Sequence, residues 1–349
     1  RCTSTETRPR PPLCYHLPVA RRRRPQRSSI RTRDGWRLAA YRYPSESGEG
    51  APVLLCHGLG INRCDLDAPD EEISVARYLH GRGHDVWVCE LRGAGRSRPP
   101  RWPLRGRRPW DFDDHVHRDV PAILRHVLDA TGASGLHWVG HSMGGMLAYA
   151  AMEHYDARLF ASVTTIGSPA FTAMRHPWVD FMYRGRPLLG AVRWLPYRRL
   201  GQWASLNPWF LHWLVGNLAA NPDNMDRRHL ARLVRVGLYD LPAEILDQFA
   251  DWYAGEGFAR TDGLLDYHAH MARITAPTLI VAGADDRLSP LEDLRRVYDA
   301  IASPDKQLLI VGRDNGFSAD YGHIDLVFGV RAREEVYPRI AAWIEDRQP

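Results

Sequence analysis

One short segment restricts the possible folds more than any other: Gly-His-Ser-Met-Gly at residues 140–144. It follows an apolar, strand-like run at 136–139 and precedes a helix-like run at 146–154. A Gly-x-Ser-x-Gly sequence between a strand and a helix reverses the chain within a few residues, so the flanking glycines remove clashing side chains and the serine projects from a sharp turn. This context predicts that Ser142 is a nucleophile.

The rest of the chain has the alternation of strands and helices that such a turn belongs to. Two strand-like runs flank Asp34-Gly35, a strong hairpin signal, and short apolar runs then alternate with amphipathic helix patterns. This order predicts an α/β fold with a mostly parallel sheet, antiparallel strands at its N-terminal side and helices on both faces. The predicted parallel strands are 53–56, 86–89, 136–139, 163–166, 278–281 and 308–311.

A long segment without strand signals interrupts this alternation. We divide the chain into a basic leader at 1–27, the first part of the core at 28–170, a helical cap at 171–271 and the second part of the core at 272–349. An insertion of that length between two sheet strands is typical of a cap over an active site. The cap holds six of the twelve tryptophans, which suggests an apolar surface that faces a substrate: Trp178, Trp194, Trp203, Trp209, Trp213 and Trp252.

The excess of basic over acidic residues lies entirely in the N-terminal tail. Residues 1–33 hold ten arginines and one acidic residue, which leaves the other 316 residues with 36 basic and 40 acidic groups. The proline- and arginine-rich leader is expected to be disordered, although its charge would allow contact with an anionic lipid or a nucleic acid. The expected partners are a small hydrophobic ester and, through the cap or the leader, a lipid surface. The acidic body gives no indication of nucleic-acid binding.

Neither a membrane span nor a disulfide framework is predicted. No stretch of 18 apolar residues occurs, and the first 30 residues lack an apolar signal-peptide core, so we expect a cytoplasmic protein unless an upstream leader is missing. All five cysteines lie in the first 89 residues, and two fall in apolar strand-like runs, which is typical of buried thiols.

A serine nucleophile requires a base and an orienting acid, which in this fold follow later strands in the order Ser, acid, His. Asp286 stands in the loop after the strand at 278–281 and is the predicted acid, with neighbouring Asp285 as its rival. His323 follows the strand at 308–311 and is the predicted general base, because no other histidine occurs after His270. Asp325 is expected to support this loop.

An oxyanion hole is predicted from two backbone amides. His57-Gly58-Leu59 follows the strand at 53–56, so the Leu59 amide can pair with the amide of Met143 at the start of the helix after the nucleophile. We expect the ring of His57 to fix this loop.

These motifs resemble the α/β-hydrolase superfamily over residues 28–346, most closely its acid-lipase-type branch of lipid ester hydrolases. The nucleophile turn departs from that branch and has the general esterase form. Four stretches carry the resemblance: 32–36, 57–59, 110–112 with 119–122, and 323–329 ahead of 336–337. It implies a cofactor-independent serine ester hydrolase for a hydrophobic ester, with oligomeric state left open.

Other functions are weighed against this one. An acyltransferase or a thioesterase would use the same triad, and a non-catalytic binding protein would retain only the pocket. The histidine pairs at 115–117 and 268–270 lack further metal ligands, so no metal site is predicted. No phosphate-binding glycine loop occurs, and Ser142 excludes the aspartate-nucleophile branches.

Overall fold

The computed structural model describes residues 24–46, 48, 50–100, 109–170, 193–253, 257–260 and 266–348. The predicted leader up to residue 23, and Trp178 of the predicted cap, lie outside these residues. Within them, no helix is long and apolar enough to cross a membrane.

Eight strands form the central sheet, in the spatial order β1-β2-β4-β3-β5-β6-β9-β10. The pairs β1–β2 and β2–β4 are antiparallel and every other neighbouring pair is parallel. The strands are β1 (Gln26–Arg31), β2 (Arg37–Tyr43), β3 (Val53–Cys56), β4 (Val86–Glu90), β5 (Leu136–His141), β6 (Phe160–Ile166), β9 (Thr278–Gly283) and β10 (Lys306–Val311). A separate two-stranded ribbon pairs β7 (Trp194–Leu195) with β8 (Leu241–Pro242).

Helices cover both faces of the sheet and also form most of the described cap. The α-helices are α1 (Val75–Gly81), α2 (Phe112–Asp114), α3 (Val120–Thr131), α4 (Met143–His154), α5 (Tyr197–Ala204), α6 (Pro208–Leu218), α7 (Arg227–Gly237), α8 (Ala243–Asp251), α9 (Leu291–Ala300), α10 (Asp325–Phe328), α11 (Ala332–Glu335) and α12 (Tyr337–Glu345). A π-helical turn at His115–Asp119 joins α2 to α3. Short 3-10 helices lie at Arg63–Asp65, Glu71–Ile73, Ala157–Leu159, Pro222–Asn224, Met271–Arg273 and Arg313–Asn315.

The core has two layers because alternate residues of a buried strand face opposite sides of the sheet. In β3, Leu54 and Cys56 pack in the layer that holds α3 and α4, while Val53 and Leu55 pack in the layer that holds α1 and α12. All four side chains are at most 3% exposed. Full burial of an aliphatic side chain contributes about 1.5–3 kcal/mol, so these short strands are held mainly by their two apolar faces.

The predicted architecture is confirmed, with differences at the edges of elements. β1 begins at Gln26, two residues inside the predicted leader, and Pro338 lies in the first turn of α12, where a proline is tolerated. The ribbon β7–β8 was not predicted, because a two-residue strand has no measurable periodicity. The described part of the cap is mostly helical, and this ribbon is its strand-like element.

Candidate active site

The parallel strands bring the predicted catalytic residues to one edge of the sheet. Ser142 follows β5 directly, Asp286 follows β9 and His323 follows β10, while the loop with Leu59 follows β3. The carboxyl ends of adjacent parallel strands meet at the same edge, so loops far apart in the sequence converge there. This topology therefore brings Ser142, Asp286 and His323, which are far apart in the sequence, into one cluster.

The turn at Ser142 is strained, and the surrounding backbone holds it in place. Ser142 has φ 53° and ψ −120°, the one positive φ at a non-glycine position among the described residues. A Cβ at Gly144 would lie 2.1 Å from the carbonyl oxygen of Cys56, and one at Gly140 would lie 2.3 Å from that of Gly144. The Ser142 amide donates to the Ile166 carbonyl at the end of β6 at 2.8 Å. Strain of this kind costs about 1–3 kcal/mol and is concentrated at functional sites.

His323 and Asp286 form a buried pair next to this turn. Nδ1 of His323 lies 2.9 Å from Oδ2 of Asp286, and both residues are 5% exposed. Oδ1 of Asp286 accepts hydrogen bonds from the amides of Leu288 and Ser289 at 2.9 and 2.8 Å. These bonds fix the carboxylate, which in turn orients the imidazole ring.

The rival acid, Asp285, does not take part in this pair. It is exposed, and its carboxylate lies 3.4 Å from the guanidinium of neighbouring Arg287. The difference arises because the turn after β9 directs successive side chains to opposite sides, so that Asp286 alone of the two reaches the histidine.

Backbone packing places the ring of His323 beside the nucleophile turn. A Cβ at Gly167, the residue after the strand that binds the Ser142 amide, would lie 3.1 Å from Nδ1 and 3.3 Å from Cε1 of His323. No hydrogen bond joins Ser142 to His323 among the described contacts. Such bonds are often long in the absence of substrate and shorten when it binds.

The two predicted oxyanion amides lie at the ends of β3 and β5. Met143 is the first residue of α4 and is fully buried, so its amide belongs to the unpaired N–H groups of a helix start. The Leu59 loop is held by its neighbours: the amide of Gly58 donates to Oδ2 of Asp65 at 2.7 Å, and a Cβ at Gly58 would lie 3.2 Å from that of Ser142. This loop therefore lies next to Ser142, with no room for a side chain between them.

His57 fixes the same loop, as expected. Its Nδ1 donates to the Gly58 carbonyl at 2.9 Å, while its Nε2 accepts from the Leu91 amide at 3.1 Å. Burial lowers the pKa of His57 to about 4, which keeps the ring neutral and suits one donated and one accepted bond.

A second histidine–aspartate pair, absent from the sequence predictions, connects the oxyanion loop to the base. Nδ1 of His141 lies 3.0 Å from both carboxylate oxygens of Asp65, and its Nε2 lies 3.2 Å from the carbonyl oxygen of His323. Both ring nitrogens thus face acceptors, an arrangement that favours the doubly protonated ring. His141 is the variable residue before Ser142 in the Gly-x-Ser-x-Gly sequence, so the sequence could have indicated that it lies at the site. No sequence signal marks Asp65.

The charges of this second pair stabilise one another. Burial lowers the pKa of His141, but the charge of Asp65 and the hydrogen bond with it outweigh burial, so the pKa is raised. Burial raises the pKa of Asp65. The charge of His141 and the hydrogen bonds from His141 and the Gly58 amide lower this pKa by more than burial raises it, so the net shift is downward. Both shifts favour the charged forms of Asp65 and His141, as in a buried ion pair.

Asp325 supports the histidine loop without touching the ring. Its Oδ1 accepts from the amides of Gly322 and Asn221 at 2.9 and 3.1 Å, and its Oδ2 accepts from the Asn224 side chain at 2.9 Å. Burial raises its pKa to about 6, against the lowering effect of these bonds. The cap residues Asn221 and Asn224 thus hold the loop that carries His323.

Other candidate sites do not join this cluster. His115 bonds the buried Asp119, which also pairs with Arg92, so this histidine belongs to a buried ion-pair network. Among the described residues no group of three or more His, Cys, Asp or Glu side chains is arranged to hold a metal ion. A polar cleft of about 460 Å³ between Trp36 and Leu238 contains neither Ser142 nor His323, so it is not an acyl pocket of this site.

The cap tryptophans divide into a buried group and an exposed group. Trp252 is 3% exposed in an aromatic cluster with Phe112 and Phe258, and Trp194 packs against Trp110. In contrast, three of them are 57–69% exposed: Trp203, Trp209 and Trp213. The expectation that the aromatic residues of the cap line a pocket is therefore not met by these three, which face solvent.

Comparison with known proteins shows the family to which the chain belongs. Residues 51–319 match the family model described as alpha/beta hydrolase fold, which covers more than half of the chain. The chain is 23% identical to triacylglycerol lipase 2 of Arabidopsis thaliana over 90% of its length and 83% of the relative, and 25% identical to lipase member K of Mus musculus over 92% and 88%. The chain therefore belongs to the α/β-hydrolase fold family, and it resembles the carboxylic ester hydrolases of the acid-lipase-type branch.

A solved structure shows the same fold. A thermophilic esterase from Thermogutta terrifontis aligns over 93% of this chain and the whole of its own, with a TM-score of 0.60 and 21% identity. At that identity the likeness bears on the fold and not on the substrate.

Proposed function

We propose that this chain is a serine carboxylic-ester hydrolase that cleaves a hydrophobic ester through an acyl-enzyme. The observation that carries the proposal is the 2.9 Å contact between His323 and Asp286 beside the strained turn at Ser142. A buried carboxylate that orients an imidazole next to an activated serine is the arrangement that acyl transfer requires.

The reaction proceeds in two halves. In the first, Oγ of Ser142 bonds to the ester carbonyl carbon while its proton passes to Nε2 of His323, and Asp286 stabilises the resulting imidazolium. The carbonyl electrons move to oxygen, where the Leu59 and Met143 amides stabilise the negative charge. Collapse of this intermediate breaks the ester bond, and the alcohol leaves with the proton from His323.

In the second half, water replaces the alcohol. His323 takes a proton from water, whose oxygen bonds to the acyl carbon, and collapse returns the proton to Oγ of Ser142 as the acid leaves. No cofactor enters either half. The same residues would transfer the acyl group to another acceptor if one reached the acyl-enzyme before water.

Hydrolysis of p-nitrophenyl esters of increasing acyl length tests the proposal. We expect turnover by the unaltered chain, its loss by at least about 10³-fold in Ser142→Ala, and no loss in the matched change Ser205→Ala, which lies in the cap. Turnover that survives in Ser142→Ala would refute the proposal. Acyl transfer to an added alcohol in preference to water, or a strong preference for thioesters, would instead support one of the two transfer alternatives.

A further inference from the structure

One face of the cap carries most of the exposed large hydrophobic side chains of the molecule. Seven of the nine such side chains in the described part of the chain lie in α5, in α6 or in the loop between them. We call this set the aromatic face: Tyr197, Leu200, Trp203, Leu206, Trp209, Phe210 and Trp213. Concentration of exposed apolar residues in one place marks an interaction surface, whereas single exposed residues do not.

The residues of the aromatic face are not the ones through which these helices pack on the rest of the protein. The inner sides of the same helices are already packed, since Ala204 is 8% and Leu211 is 3% exposed. On the outer side the rings contact one another: the centroids of Trp203 and Phe210 are 6.4 Å apart, and those of Phe210 and Trp213 are 6.1 Å apart. Trp203, Phe210 and Trp213 thus form one aromatic cluster on the outer side of two helices whose inner sides are packed in the described part of the chain.

Arginines are concentrated in the same part of the cap, and one of them, Arg232, is paired with Asp70. Between residues 197 and 237 the chain has six arginines, all exposed, and two acidic residues, although the body of the protein is slightly acidic. The guanidinium of Arg227 stacks on Trp209 with its carbon 3.6 Å from the ring centroid. The six arginines are Arg198, Arg199, Arg227, Arg228, Arg232 and Arg235.

We propose that the aromatic face binds an anionic lipid–water interface. Tryptophan, leucine and phenylalanine next to arginine are the residues that helices use to lie in the headgroup region of a bilayer, where rings enter the acyl boundary and arginines meet lipid phosphates. A second copy of this chain fits less well, because a two-fold interface would bring the arginines of one copy against those of the other.

The helices behind the aromatic face are bonded to both catalytic loops. Just after α6, the Ala219 carbonyl accepts from the Ile324 amide, next to His323, at 2.9 Å. At the end of α7, the Gly237 carbonyl accepts from the Asn62 amide at 2.7 Å, and the ring of Tyr197 packs against Gly60 of the oxyanion loop. A lipid surface bound here would therefore adjoin the site that is proposed to attack a hydrophobic ester.

Vesicle flotation tests the proposal independently of catalysis, with the Ser142→Ala chain as parent. We expect binding to vesicles of phosphatidylcholine with about 30% phosphatidylglycerol, weaker binding to phosphatidylcholine alone, and weaker binding again at high salt. The triple change Trp203→Ser, Leu206→Ser, Trp213→Ser should reduce binding at least about tenfold. The matched control Val330→Ser, 60% exposed outside the aromatic face, should not.

Variants that remove arginine charges, and a measurement of the molar mass of the parent and the variants in solution, complete the test. Arg198→Gln with Arg199→Gln should weaken binding to the anionic vesicles only, while Arg158→Gln, 89% side-chain exposed before β6, should have no effect. Leu206→Asp, a single change at a 79% exposed position, replaces the triple variant if that variant fails to fold. Unchanged binding in these variants, or a dimer in the parent that they convert to monomer, would overturn the proposal. Hydrolysis of a short soluble ester by the same variants with Ser142 restored tests the proposed function separately.

Discussion

Two histidine–aspartate pairs lie side by side at the edge of the sheet, with ring centroids of His141 and His323 5.0 Å apart. Their contacts are nearly equal, 3.0 Å from His141 to Asp65 and 2.9 Å from His323 to Asp286. They differ at the second ring nitrogen. Nε2 of His141 donates to a backbone carbonyl, whereas Nε2 of His323 has no bond to another described residue. The two pairs differ in the availability of the second ring nitrogen and not in the carboxylate partner, and this difference distinguishes the proposed general base, His323, from the structural pair.

The largest expected difference between the pairs is kinetic. Asp286→Asn should lower kcat/KM for an ester by about 10³- to 10⁴-fold, because the imidazole is then held in the wrong tautomer. His141→Gln should lower it by about 10- to 100-fold, since it displaces the oxyanion loop and the His323 backbone without removing a reacting group. Steady-state kinetics on the two variants measure this contrast. Equal losses would show that His141 takes part in the chemistry.

Stability should respond in the opposite order. Asp65→Asn leaves the buried imidazolium of His141 without its counter-charge and should lower the free energy of unfolding by about 3 kcal/mol. Asp286→Asn retains acceptors for the amides of Leu288 and Ser289 and should change that free energy by less than about 1 kcal/mol. Urea unfolding at pH 6 tests both values. A greater loss in Asp286→Asn would contradict the assignment of the two pairs.

The stabilising effect of the pair of His141 and Asp65 should decrease both at high pH and at low pH. The pKa of His141 is raised above 6.5 in the folded chain, so its contribution is full below pH 6.5 and is lost as pH rises through the raised value. The pKa of Asp65 is lowered below 3.8, so its contribution is full above pH 3.8 and is lost as pH falls through the lowered value. The difference in unfolding free energy between the unaltered chain and Asp65→Asn should therefore be greatest between about pH 4 and 6.5. A difference that increases steadily up to pH 9 would contradict this account.

The smallest expected effect concerns Asp325, the third carboxylate near His323. Asp325→Asn keeps an oxygen for the amides of Gly322 and Asn221, so kcat/KM should change by less than about threefold. Burial raises the pKa of Asp325 from 3.8 to about 6, so its protonated form stabilises the fold fully below pH 3.8, and this contribution is lost as pH rises to about 6. The variant should therefore gain stability relative to the unaltered chain between about pH 4 and pH 6, and no more above that. Kinetics at about pH 7 and urea unfolding at about pH 4 and pH 7 test the prediction. A loss of activity comparable to that of Asp286→Asn would make Asp325 the orienting acid.

Sequence reasoning succeeded where local pattern and chain order determine the structure. Buried strands such as Val53–Cys56 are continuous apolar runs, and the turn at 140–144 fixes the strand and helix on either side of Ser142. Asp286 and His323 could be selected because loops after later parallel strands meet at one edge. The sequence favoured Asp286 but left Asp285 as a rival, since the direction of each side chain depends on the turn after β9.

The contacts that sequence reasoning missed depend on long-range packing. Asp65 reaches His141 across 76 positions of the chain, and no periodicity or motif reports such a contact. Trp203 and Trp252 are the same residue type in the same cap, yet one is 69% and the other 3% exposed. Composition identified an aromatic cap, but only the arrangement of helices separates its core from its outer face.

The most direct test of the central claim is the rate and position of labelling by a fluorophosphonate, followed by peptide mass spectrometry. The account predicts one adduct, on Ser142, with a labelling rate that falls at least about 100-fold in His323→Ala and much less in His141→Gln. An adduct on another residue, or an undiminished rate in His323→Ala, would contradict the claim that the pair of His323 and Asp286 activates Ser142.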